Sequence, residues 1–114
     1  MLESLFMSGI VLDITSEIGK RVVLTRSRYN HICQRHPEVF GVIEKMVETL
    51  VSPQTIRRST YDEAVWLFYR FFETTPVTEK YLMVAVRILN NEGFVVTSYF
   101  TDRVKIGEEI WRER

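Results

Sequence analysis

Apolar positions along the chain fall into two periods, and the change between them divides it. "IVLDIT" places Ile10, Leu12 and Ile14 on alternate positions, "SEIG" supplies turn chemistry, and the β-branched run "KRVVLT" follows. These residues predict an opening hairpin. From Thr25 or Ser27, either a suitable N-cap, the period becomes helical: Tyr29, Ile32, Cys33 and His36 stand at i, i+3, i+4 and i+7. Pro37 disfavours helical backbone at His36 and ends or bends the helix there. Val39, Val42, Ile43, Met46, Val47 and Leu50 then mark a second helix, closed by "SPQ". After the connection "QTIRRSTYDE", read as polar and non-regular, come "AVWLFYRFF", "KYLMVAVRIL" and "GFVVTSYF", three runs rich in aromatic and β-branched residues. "NNEG" between the last two predicts a tight hairpin, because Asn and Gly tolerate positive φ. The tail "TDRVKIGEEIWRER" is expected to add a short edge strand or to lie across the sheet.

This order, a hairpin, two helices and an antiparallel meander, predicts an α+β fold with no strand-helix-strand unit to support a parallel sheet. Pairing Leu89 with Phe94 across the turn would set Val86 opposite Thr97 and Val84 opposite Tyr99. Thr97 and Tyr99 would then share one face and Arg87 would point to the other.

At 114 residues and 46% hydrophobic the chain suffices for one domain. No repeat or linker divides it. Cys33 is its single cysteine, which excludes an internal disulfide framework and a cysteine-rich zinc site. No apolar run approaches the roughly 20 residues that cross a bilayer. "MLESLFMSGIVLD" has neither a basic leader nor a small-residue cleavage site, so a cytoplasmic protein without membrane association is expected. No cofactor motif occurs, neither a Gly-rich phosphate loop nor a dinucleotide fingerprint, and no bound metal is expected.

Fifteen basic and fifteen acidic side chains cancel overall, yet not locally. Between Ile18 and Pro37 stand Lys20, Arg21, Arg26, Arg28 and Arg35 with no acid; acids resume at Glu38, Glu44 and Glu48. Arg28, His31 and Arg35 share one helix face beside the apolar stripe, forming an anion-attracting edge. His31 and His36, five residues apart, lie about 140° apart around a regular helix and are not an i,i+4 metal pair. Structural readings stay open for each residue: solvated helix arginines, a packed histidine, or His36 helping to cap the second helix. Cys33 in the apolar stripe is a poor nucleophile, since burial raises a thiol pKa. The aromatics of "VWLFYRFF" fit a core or a homodimer surface, and Glu38, Asp62 and Glu63 assemble no evident carboxylate cluster for a divalent cation.

Taken in order, "LTRSRYNHICQRHPEV", "PQTI", "LFYRFF", "YLMVAVRI" and "GFVVTSYFTDRVKIGEEIW" resemble the barnase-EndoU-colicin-RelE-like nuclease superfamily, in particular its small phage and stand-alone members with a helical H-I-x-x-R-H-P-E signature. The resemblance covers about residues 22–111, leaving 1–21 as an N-terminal extension. "TSY" stands where the motif carries "TAY", which keeps Thr97 and Tyr99. The resemblance implies two helices followed by a curved antiparallel sheet, and a metal-independent, toxin-like endoribonuclease acting on RNA by attack of the ribose 2′-OH. Carried over by motif position, His31 or His36 would be acid or base, Arg35 and Arg70 would hold the phosphate, and Thr97 and Tyr99 would hydrogen-bond it. Arg28, Tyr69 and Ser98 would contact substrate, and a cognate inhibitor protein is a further implied partner. Two histidines suit acid and base work because their unperturbed pKa lies near about 6.5. The reading from another class is a non-catalytic module that docks RNA or protein on the same basic surface.

Overall fold

A computed structural model describes residues 9–114; the segment 1–8, on which the expectation of no leader rests, lies outside the described residues. The opening hairpin is formed by β1 (Ile10–Thr15) and β2 (Arg21–Thr25), with Gly19 at φ +78° in the turn, a conformation costly for any residue with a Cβ. Thr25 is both the last residue of β2 and the N-cap of α1 (Arg26–Arg35): its hydroxyl accepts the Arg28 N–H at 3.1 Å. Tyr29 and Ile32 are buried, as the period predicted, and Cys33 is half-buried. At His36 the backbone leaves the helix, its N–H closing the last turn onto the Ile32 carbonyl at 2.7 Å. Pro37–Val39 then forms a 3-10 turn, and Gly41 at φ +80° reverses the chain into α2 (Ile43–Val51). The His36 side chain makes no capping bond to either helical segment.

Four strands complete the fold after α2: β3 (Thr55–Arg58), β4 (Val65–Phe72), β5 (Lys80–Leu89) and β6 (Glu92–Thr101), with β7 (Glu109–Arg112) as a fifth, short edge strand. One seven-stranded sheet runs in the order β1-β2-β6-β5-β4-β3-β7. It is an α+β architecture, and the hairpin at the N-terminus is continuous with the rest of the sheet. Among the described residues no helix is long and apolar enough to cross a membrane.

Three expectations need correction. "TIRR" is a strand, because its backbone is paired on both sides, to β4 and to β7, and Ile56 fills the core; its polar side chains hid it. The sheet is not wholly antiparallel, since β2 runs parallel to β6 over Arg21–Val23 and Glu92–Phe94. The β5–β6 register differs too. Leu89 pairs with Glu92 across a two-residue turn with Asn90 at φ +60°, and Val96 is an extra residue, so that Ala85 faces Thr97 and Met83 faces Tyr99. Arg87 therefore lies on the same face as Thr97 and Tyr99.

Both helices cover one face. There α1 packs on β2 and β6, α2 packs on β4 and β5, and Leu24, Ile32, Met46, Leu50, Phe68 and Val84 close the main core. β4 is an inner strand with Phe68 and Tyr69 wholly buried, so those aromatics belong to this chain's own cores. Across the sheet lies a smaller cluster of Leu67, Tyr69, Met83 and Ala85. No helix covers it.

Because Ile32 is 1% exposed and locks α1 onto the sheet, Ile32→Ala should lower unfolding free energy by about 2–5 kcal/mol in urea titration, whereas the exposed Arg35→Ala should change it by less than about 0.5 kcal/mol.

Candidate functional site

The face opposite α1 and α2 is partly closed by two loops. The β3–β4 connection brings Ser59 to Asp62 over one side, and the β6–β7 connection folds Val104, Lys105 and Ile106 back over the other. Between them is a cleft of about 280 Å3 whose floor is Leu67, Met83, Ala85 and Val96. Thr97, Tyr99, Lys105 and Arg87 line its polar side.

The Lys105 loop is fixed from beneath by Tyr69. Its phenol, wholly buried, accepts the Lys105 backbone N–H at 3.2 Å. Burial pushes the Tyr69 pKa up, against the opposing pull of that N–H. Gly107 carries the loop back to β3, where a Cβ would run into the Arg58 carbonyl oxygen. Arg57, whose Nη2 lies 3.6 Å from Glu109 and whose Nη1 donates to the Gly107 carbonyl at 3.4 Å, braces the same turn. Lys105 lies over the Tyr99 ring, 5.7 Å from its centroid. Hydrogen bonding to the Tyr99 phenol, outweighing partial burial, holds the Lys105 pKa above its ordinary value. Lys105 is therefore a cation at the cleft at neutral pH.

His36 also meets Tyr99. Its ring centroid is 5.0 Å from that of Tyr99, the planes tilted by 38°, and its Nδ1 lies 4.0 Å from a Glu38 carboxylate oxygen. Glu38, His36, Tyr99 and Lys105 thus form a continuous line at the end of β6. An imidazole beside a carboxylate and a phenol beside an ammonium are groups that can exchange protons and meet negative charge.

His31 is not part of that line. It is exposed on α1 and lines a separate polar cleft with Thr25, Ser27 and Arg28. Arg28 also lines a third, mostly apolar cleft with Phe94, Val96 and Arg87, and Val96 and Arg87 in turn line the cleft beside Tyr99. Shared walls make the three clefts one track along the sheet from α1 to Lys105. Arg35 is exposed at the end of α1.

Two residues suggested by the motif do not reach this face. Arg70 alternates with Tyr69 along β4 and points to the helix side, where its Nε donates to Glu48 at 2.9 Å and its Nη1 to the Ser52 carbonyl at 2.8 Å. Ser98 alternates with Thr97 and Tyr99; it is wholly buried and its hydroxyl donates to the Met83 carbonyl at 2.7 Å. Tyr69 is on the right face but beneath the surface, as a support for Lys105. Conversely, Lys105 and Tyr61 come to the cleft from loops without any periodic signal, and Arg87 comes to it from β5. The loop that carries Lys105 has no strand or helix pattern, and the extra residue at Val96 brings Arg87 to the face opposite the one expected from unbroken pairing.

Asp62 is committed to Arg87 at 2.9 Å, and Glu38 to the neighbourhood of His36. Among the described residues no group of three or more His, Cys, Asp or Glu side chains is placed to hold a metal ion.

Tyr69 and Tyr29 both have raised pKa values, chiefly from burial. Their neutral forms are favoured by the folded chain, so this contribution is complete below the unfolded-state value of about 10 and disappears as pH rises through the folded values. The urea midpoint should fall as pH is raised above about 10, and Tyr69→Phe should flatten that fall while costing about 1 kcal/mol at neutral pH through the orphaned Lys105 N–H. An unchanged alkaline slope would show that Tyr69 is not buried as described. No family model, curated protein or solved structure matches the chain, so its function is argued from the chemistry of this cleft.

Proposed function

We propose that the chain is a metal-independent endoribonuclease acting on single-stranded RNA, the activity implied by the resemblance of its motifs to the barnase-EndoU-colicin-RelE-like superfamily. The observation that carries the reading is the contact line Glu38–His36–Tyr99–Lys105 at the mouth of a cleft also lined by Thr97. In this reading His36, steadied by Glu38, takes the proton of a ribose 2′-OH. The 2′-oxygen attacks the adjacent phosphorus, the bond from phosphorus to the 5′-oxygen breaks, and a 2′,3′-cyclic phosphate forms. Tyr99 protonates the departing 5′-oxygen while the Lys105 ammonium stabilises the phenolate left behind and the charge on the phosphorane. Thr97 donates a hydrogen bond to a non-bridging oxygen. Arg28, His31 and Arg35 attract the phosphates of the adjoining strand.

One observation favours a different outcome. Only one histidine reaches Tyr99, so no paired-histidine acid and base is assembled, and the same track would serve a module that binds RNA without cutting it.

Purified protein should cleave a mixed RNA pool in excess EDTA and leave 2′,3′-cyclic phosphate ends. His36→Ala and Tyr99→Phe should each lower the rate by roughly 10²–10⁴ with the fold intact by circular dichroism. His31→Ala should act mainly through binding, and Arg70→Ala should act only through stability. RNA bound but uncut would establish the binding module instead, and rates unaffected by His36 and Tyr99 would place any chemistry elsewhere.

A further inference from the structure

Two buried tyrosines make contacts that packing alone does not require. Tyr29 in the first half of α1 is 5% exposed and Tyr69 in β4 is wholly buried, yet each phenol oxygen accepts a backbone N–H from a loop. The Tyr29 oxygen takes the Gly41 N–H at 2.9 Å, and the Tyr69 oxygen takes the Lys105 N–H at 3.2 Å. These are the two loops that bring His36 and Lys105 to Tyr99.

The first tie closes a turn. Between α1 and α2 the segment 36–41 begins where the His36 N–H meets the Ile32 carbonyl at 2.7 Å, and Val39 within it is wholly buried. Gly41 is the far end of that segment, so its bond to Tyr29 fastens the stretch carrying His36 and Glu38 back onto the body of α1. The second tie crosses the sheet. Tyr69 pairs with Met83 and Met83 with Tyr99, which sets the two tyrosines in one row, two strand spacings or about 10 Å apart. Lys105 spans that row by itself: its backbone N–H is on the Tyr69 phenol and its ammonium lies 5.7 Å from the centre of the Tyr99 ring. Burial pushes the pKa of both phenols up, against the pull of the N–H each accepts, so both oxygens stay neutral acceptors at neutral pH.

Gly41 and Lys105 are themselves exposed residues. Water can therefore replace either phenol oxygen at small cost to folding, but a mobile water fixes no position. With the ring kept and the oxygen removed, the core stays filled and the loop loses its anchor. A misplacement of about 1 Å can cost about 10²-fold in rate.

We infer that Tyr29 and Tyr69 are a pair of positioning residues, each phenol oxygen fixing one loop, that together set where His36 and Lys105 stand against Tyr99. The reaction this serves rests on the ribonuclease reading; the placement of the three side chains does not.

The test is Tyr29→Phe and Tyr69→Phe in the full chain, read by proton chemical shifts and, in parallel, by cleavage of a single-stranded oligoribonucleotide. The Tyr99 ring current displaces the imidazole protons of His36 and the methylene protons next to the Lys105 ammonium, and Tyr99→Leu gives the undisplaced position of each. His31, exposed on α1 and in a different cleft, is the internal reference, since the chain has two histidines. Tyr29→Phe should move the His36 signals toward their Tyr99→Leu positions and leave those of Lys105 in place; Tyr69→Phe should do the reverse. Each should lower kcat roughly 10–100-fold with KM within about twofold of wild type, because the anchors serve the reacting groups and not the cations of α1. Leu50→Val, which thins the main core at the end of α2 beside the β1–β2 turn, should move neither set of signals and leave kcat unchanged. Unmoved His36 and Lys105 signals in the tyrosine variants overturn the proposal, whether or not RNA is cut. Movement of both sets in all three variants is general loosening and overturns it too. Signals that move as expected while kcat does not change in a cleaving protein overturn the role in the reaction. If the wild-type chain cuts no RNA, signals that move as expected uphold the positioning and remove the ribonuclease reading.

Discussion

The meeting of His36 with Tyr99 depends on one short pairing, the parallel contact of β2 with the first residues of β6. It spans only Arg21–Val23 against Glu92–Phe94. Since the two strands run the same way, a chain leaving β2 continues in the direction of Tyr99. Thr25 converts it at once from strand to helix, and α1 then lies along β6. Ten helical residues advance about 15 Å, at 1.5 Å each. The five steps of strand from Phe94 to Tyr99 advance about 17 Å. The end of the helix therefore falls level with Tyr99, and Pro37 stops it there, leaving His36 outside helical geometry beside the phenol. An antiparallel β2 would have sent α1 away from the cleft.

The same strand serves two cores, and the extra residue at Val96 is what reconciles them. Val95 faces the helices and is buried; two residues later, strict alternation would have put Thr97 on that side. The bulge turns Thr97 outward and gives the helix side Ser98, whose hydroxyl is satisfied by the Met83 carbonyl. From there Tyr99 joins the second cluster and Phe100 the first. Bulges sharpen local twist, which suits a sheet that must curl one face around a cleft while the other face packs on two helices.

Much of this architecture is legible in residue types, and the failures have physical reasons. Gly19 in a turn, Thr25 as a cap, Pro37 as a stop and the alternating runs of β4 to β6 each express a local backbone or burial preference. β3 does not, because "TIRR" is a strand only by virtue of its two neighbours and has a single apolar side chain. Arg70 and Ser98 were drawn into the site by adjacency in motifs, although one position along a strand changes the face. Arg87 was excluded by the same rule applied to a register one bulge away from the real one. Lys105 and Tyr61 are on loops, where no period exists, and their position follows from Tyr69 below, Gly107 behind and the Asp62 turn opposite. Between the two histidines the helical geometry was informative: about 140° of rotation already separated them, and the fold puts them at different clefts.

A chain with equal numbers of acids and bases still generates a directed field here, because its charges are unequally neutralised. Arg21, Arg57, Arg58, Arg70, Lys80, Arg87 and Arg112 each have a carboxylate partner. Arg26, Arg28 and Arg35, all on α1, have none among the described residues. Surface pairs stabilise a fold by only about 0–1 kcal/mol each, so their distribution matters less for stability than for where positive potential survives. Three such cations stand together on α1, the helix that ends beside Tyr99. Arg28, which lines clefts with His31 on one side and Arg87 on the other, joins that helix to the sheet. Through the residues these clefts share, that helix is linked to the cleft beside Tyr99, where Lys105 is a further cation with no carboxylate partner among the described residues.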